Sequence, residues 1–150
     1  DHTGTSDHGY YQTDLGKFAS PIMFFDPTGE LKPGMRNAIA QQIDIMPTLL
    51  GYLGYDKPFV AFGKDLFSTA DEDTWAVNYL NGIYQFVKGD YLLQFDGKET
   101  TAVYRFRTDL LLKNNLKGKV AEQEMMEQQL KSIIQQYMDR MVNNELVVRP

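Results

Sequence analysis

The spacing of hydrophobic positions changes about halfway along the chain, and the change predicts two kinds of structure. Phe18-Ala19-Ser20-Pro21-Ile22-Met23-Phe24-Phe25 is a short, largely apolar run that stops at the breaker Asp26-Pro27-Thr28-Gly29. Such a run suits a strand buried on both faces of a parallel sheet, with Pro21 at its start, where a missing N–H costs least. The polar stretch before it, Gly9 to Gly16, reads as a loop, and Gly29 to Ala40, with Pro33-Gly34, reads as a surface turn. Ile45, Leu49, Leu50 and Leu53 then recur at helical spacing. Asp44 suits the positive end of that helix dipole and its backbone, Pro47 is tolerable in the first turn, and Gly54 stands where a glycine ends a helix.

Past the acidic turn Asp71-Glu72-Asp73 the period shortens to that of strands. Segments 75–79, 83–87, 91–95 and 102–106 are rich in aromatic and β-branched residues, and Gly89-Asp90 and Asp96-Gly97 are hairpin signals. A small antiparallel meander is predicted. The last stretch, 120–143, places Met126, Leu130, Ile133, Ile134, Tyr137, Met138 and Met141 on one face, with Glu122, Glu124 and Glu127 early and Arg140 late. It predicts a long amphipathic helix packed over the meander, with Glu127 and Lys131 spaced as an i,i+4 pair.

Composition narrows the class. At 150 residues, 43% hydrophobic and 13% aromatic, the chain is not disordered, and no apolar run approaches the ~20 residues a membrane crossing needs. The net charge of −5, with 15 scattered Lys and Arg residues, disfavours nucleic acid as a partner. The absence of Cys excludes disulfides and thiolate metal sites.

The chemistry concentrates at the start, in Asp1-His2-Thr3-Gly4-Thr5-Ser6-Asp7-His8-Gly9. An adjacent carboxylate and imidazole suit a borderline divalent cation such as Zn²⁺ or Mn²⁺, but two ligands do not complete a site. The chain opens on Asp1 without Met or a leader, so a preceding portion carrying further ligands is expected. Asp7-His8 is a second Asp-His pair and the alternative ligand pair. Lys64 and Asp65 either reach a pocket rim or form an ordinary surface ion pair.

Four stretches, taken in order, resemble the alkaline phosphatase superfamily in its sulfatase-like branch, which includes lipoteichoic acid synthases and related phosphoglycerol or phosphoethanolamine transferases. They are Asp1-His2-Thr3-Gly4, Pro21-Ile22-Met23-Phe24-Phe25, Gln42-Ile43-Asp44-Ile45-Met46-Pro47-Thr48-Leu49-Leu50, and Phe62-Gly63-Lys64-Asp65-Leu66-Phe67. The segment from Val103-Tyr104-Arg105-Phe106 through Asp109 to Asn115-Leu116 is similar to the C-terminal sulfatase subdomain, with Leu110 where proline is usual.

The resemblance implies an α/β fold. Residues 1–70 would be the C-terminal part of the catalytic core sheet with flanking helices, and 71–150 a smaller antiparallel subdomain covered by the last helix. It implies a metal-dependent hydrolase or transferase of phosphate or sulfate esters, a lipid head group among the candidate substrates, with Asp1 and His2 as metal ligands and His8 as a substrate-binding residue. One divalent ion is implied, Mn²⁺ first, with Zn²⁺, Ca²⁺ or Mg²⁺ admitted. The nucleophile would lie outside this sequence, leaving the chain inactive alone, and the parent protein would be extracytoplasmic and anchored by upstream helices. A formylglycine-using sulfatase, a non-catalytic binding module on the same scaffold, and a cytoplasmic phosphomutase-like protein are the alternatives.

Overall fold

The computed structural model describes residues 6–148. Its centre is a four-stranded antiparallel sheet in the order β1-β2-β3-β4, formed by Trp75–Leu80, Ile83–Lys88, Tyr91–Phe95 and Thr100–Tyr104. Each strand follows its predecessor through a short turn, as the predicted meander requires. Asn81 and Gly82 both adopt positive φ in the first turn, the pairing a two-residue hairpin favours. Gly89 does so alone in the second, where Lys88 pairs with Tyr91. The third connection is longer, and Asp96 holds it by accepting from the Lys98 and Glu99 backbone N–H groups at 2.8 and 2.9 Å.

The fourth strand starts and ends two residues earlier than the sequence pattern predicts. A register irregularity at Gln94/Phe95 lets pairing begin at Thr100, and the chain turns at Arg105, whose carbonyl accepts from Thr108 and Asp109. Arg105 and Phe106 therefore belong to a turn. Asp109 closes this stretch by accepting from the Lys113 and Asn114 N–H groups.

Both faces of the sheet are covered. Phe86, Leu93, Phe95 and Val103 form one core with Met126 and Leu130 of the long helix α3, Gln123–Val142. Ala76, Val87 and Leu92 meet Leu15 on the other face, with Ile39, Tyr104, Phe106 and Leu112 around them. The predicted α3 stripe covers the sheet only through its first half. Beyond Ile134 the helix runs past the strands, so Tyr137, Met138 and Met141 stay 46%, 51% and 46% exposed, and Tyr137 instead meets the Phe62 ring edge-on at 5.2 Å. The expected Glu127–Lys131 pair forms at 2.5 Å, and Glu127 also accepts from Thr100 at 2.5 Å, tying α3 to β4.

Side-chain amides cover both outer strands. Gln41 accepts from the Val77 N–H at 3.0 Å and donates to the Trp75 carbonyl at 3.4 Å, on β1. Asn115 accepts from the Val103 N–H at 3.1 Å and donates to the Thr101 carbonyl at 3.3 Å, on β4. Unpaired strand edges invite association with other chains, and each amide occupies one N–H and one carbonyl of its edge. On the β1–β3 face opposite α3, Asn78, Gln85 and Gln94 stand side by side, and the buried Gln85 carbonyl oxygen has no partner among the described residues.

The first half is built differently. A short helix α1, Gly9–Gln12, and a 3₁₀ turn, Gly16–Phe18, replace the predicted loop. Helix α2, Ile45–Tyr52, follows a 3₁₀ turn at Gln42–Asp44 and ends as predicted. Gly54 has φ +67°, and the N–H groups of Gly54 and Tyr55 return to the carbonyls of Gly51 and Leu50 at 3.1 and 2.9 Å.

The predicted parallel-sheet strand at 18–25 is corrected by the structure. After the 3₁₀ turn the segment from Pro21 to Phe25 forms no ladder with another described strand, and no parallel pairing occurs among the described residues. Ile22 and Phe24 face a groove of about 250 Å³ against Ile45, Leu49, Tyr52 and Phe67, while Met23 and Phe25 are 87% and 89% exposed.

Amide exchange should separate these two regimes. Ile22, Met23, Phe24 and Phe25, without backbone acceptors among the described residues, should exchange at nearly unprotected rates, while Phe86 and Leu93 exchange only through global opening. Comparable protection at the two places would show that the 21–25 segment is paired in solution.

Acid should also weaken the fold. Thr28 and the Leu31 and Thr28 N–H groups lower the Asp26 pKa, backbone donors lower those of Asp96 and Asp109, and Lys131 with Thr100 lowers that of Glu127. Groups with depressed folded pKa values contribute stability above the unfolded carboxylate value of about 4 and lose it as pH falls through the folded values. Urea midpoints should therefore hold steady above pH 5 and drop below about pH 4; a flat profile down to pH 2 would contradict this.

Candidate functional site

Asp1 and His2 lie outside the described residues, so the geometry begins with their neighbours. Ser6 accepts from the His8 N–H at 3.2 Å and fixes the approach to α1. The His8 side chain then caps that helix, Nδ1 accepting from the Tyr10 N–H at 3.3 Å. An imidazole whose Nδ1 is an acceptor carries its neutral-form proton on Nε2. His8 is thus presented as an exposed hydrogen-bond donor, with its ring edge-on to Tyr11 at 5.8 Å.

That assignment bears on which Asp-His pair could bind a cation. A metal-bound histidine needs a free lone pair on one nitrogen and usually donates the other N–H to an acceptor. With Nδ1 engaged as acceptor, His8 has no lone pair to offer unless the α1 cap breaks. Coordination of a cation through Nδ1 would have to compete with the α1 cap.

The surrounding loop is held tightly. Tyr10 packs on Tyr11 with ring centroids 5.2 Å apart, and burial, then the neighbouring Tyr11, raises the Tyr10 pKa. Thr13 donates to the Tyr10 carbonyl at 2.7 Å and accepts from Gly16 N–H at 3.0 Å. Gly16 passes so close to that carbonyl that a Cβ would sit 1.9 Å from the oxygen, and only glycine fits there.

The other candidate polar residues, Asp44, Lys64 and Asp65, are arranged differently from the sequence expectation. Lys64 does not pair with Asp65. It reaches Asp44 at 3.0 Å, donates to the Trp75 carbonyl at 2.9 Å and rests 4.0 Å from the Trp75 ring centroid. Asp65 instead accepts from the Phe67 N–H and the Ser68 hydroxyl. The reason is steric as well as electrostatic. Gly63 packs on the Ile43 backbone so closely that a Cβ would lie 2.0 Å from its carbonyl oxygen, which delivers Lys64 directly to the Asp44 carboxylate.

Asp44 supports the backbone at the head of the α2 region, as predicted, and does more. It is fully buried and accepts from Gln41 N–H at 3.0 Å and Lys64 N–H at 2.8 Å as well as from the ammonium. Burial lowers the Lys64 pKa, opposed by its hydrogen bond to and the charge of Asp44. Thr48 completes the joint, donating to the Asp44 carbonyl at 2.6 Å and accepting from the Leu66 N–H at 2.9 Å. The cluster is saturated with internal partners, so its chemistry is structural.

The structure thus leaves His8, Tyr10 and Tyr11 together near the start of the chain and assigns Asp44 and Lys64 to a separate buried joint. Among the described residues no three His, Asp or Glu side chains gather to hold a cation. Their donor set does not complete a metal site. No helix among them is long and apolar enough to cross a membrane. Comparison of the chain with protein-family patterns, with curated proteins and with solved structures returned no match.

The buried joint has a measurable consequence. Lys64→Met would leave the Asp44 carboxylate buried without its cation and should cost about 3–5 kcal/mol in urea unfolding. Adding Asp44→Asn should restore part of this, because the uncompensated charge is gone. A single variant within about 1 kcal/mol of the parent would show that solvent or another cation reaches the carboxylate.

Proposed function

We propose that this chain is the C-terminal part of a sulfatase-like, metal-dependent hydrolase or transferase of phosphate or sulfate esters, phosphoglycerol or phosphoethanolamine transfer being the preferred activity. The observation that carries the reading is the Asp44–Lys64 contact. Two of the stretches that resemble the family, 42–50 and 62–67, are separate in sequence and meet through this buried pair, Thr48 and the Gly63–Ile43 approach. A shared structural role explains why both carry such specific residues.

In this reading residues 1–70 belong to the catalytic α/β core. Open α/β sheets bind ligands beyond the carboxyl ends of their strands, which is where Asp1 and His2 would stand. Asp1 and His2 would be the cation ligands, Mn²⁺ first. When bound, the cation would supply Lewis-acid polarisation of the ester. His8 would donate Nε2–H to an ester or phosphate oxygen, and Tyr10 and Tyr11 would wall that side of the pocket. The reading places the nucleophile outside the chain, so the 150-residue polypeptide has no turnover of its own. It also places the parent protein outside the cytoplasm.

Calorimetric titration with Mn²⁺ tests the site. The unaltered chain should show weak binding, because the ligand set is incomplete, and Asp1→Ala should abolish the heat. His8→Ala should leave it unchanged, since His8 contacts substrate in this reading. Equal heats for the parent and Asp1→Ala would remove Asp1 from the site, and a loss confined to His8→Ala would move the cation to the second pair.

A further inference from the structure

We draw no further inference here: the strongest candidate, the apolar groove between the extended segment Ile22–Phe25 and helix α2, is an unpartnered face, and nothing in the structure shows what covers it.

Discussion

One buried carboxylate governs how the two halves of the chain meet. An ionised group removed from water costs several kcal/mol unless it is paired and fully hydrogen-bonded. Asp44 meets that demand by drawing in the backbone of Gln41 before it, and both the backbone and the ammonium of Lys64 from a loop beyond α2. Lys64 in turn binds the first carbonyl of β1 and lies against the indole of Trp75. The position of α2 relative to the sheet follows from satisfying this single charge. Arg36 reinforces the arrangement from outside by holding the Leu66 and Thr69 carbonyls and Asp71.

The sheet was legible because its information is local. Alternation and turn residues each act within a few positions, and cross-strand neighbours in a meander are close in sequence. The Asn81-Gly82 turn carried an equally plain signal that the strand pattern alone passed over. The shift of β4 came from an irregularity at Gln94/Phe95 that no residue type announces. For α3 the apolar stripe correctly gave the helix and its inner face, but periodicity reports which side is apolar and not how far the partner surface extends. Hence Tyr137, Met138 and Met141 continue the stripe without continuing the core.

What escaped the sequence was non-local. Lys64 beside Asp65 suggests a neighbourly ion pair, whereas its real partner is twenty positions earlier, delivered by the close approach of Gly63 to Ile43. Nothing local in the sequence marks Gln41 or Asn115 as covering an edge, because the strands they meet are 34 to 36 and 12 to 14 positions away. In the candidate site the Asp-His pairs are visible as chemistry in the sequence, whereas the use of the His8 side chain as the cap of α1 is not. The apolar run at 18–25 reads as a sheet strand but has no ladder with the described strands, because a side-chain pattern cannot supply a neighbour.

The amides on β1 and β4 also bear on further strand pairing. Gln41 is tethered to α2 through Asp44, and Asn115 to the turn that follows β4, where its oxygen also accepts from Lys117. A strand pairing on either flank at Trp75–Val77 or at Thr101–Val103 would have to dislodge a group anchored elsewhere in the molecule. Strand addition at those positions therefore carries the cost of breaking an internal contact as well as of ordering the incoming chain.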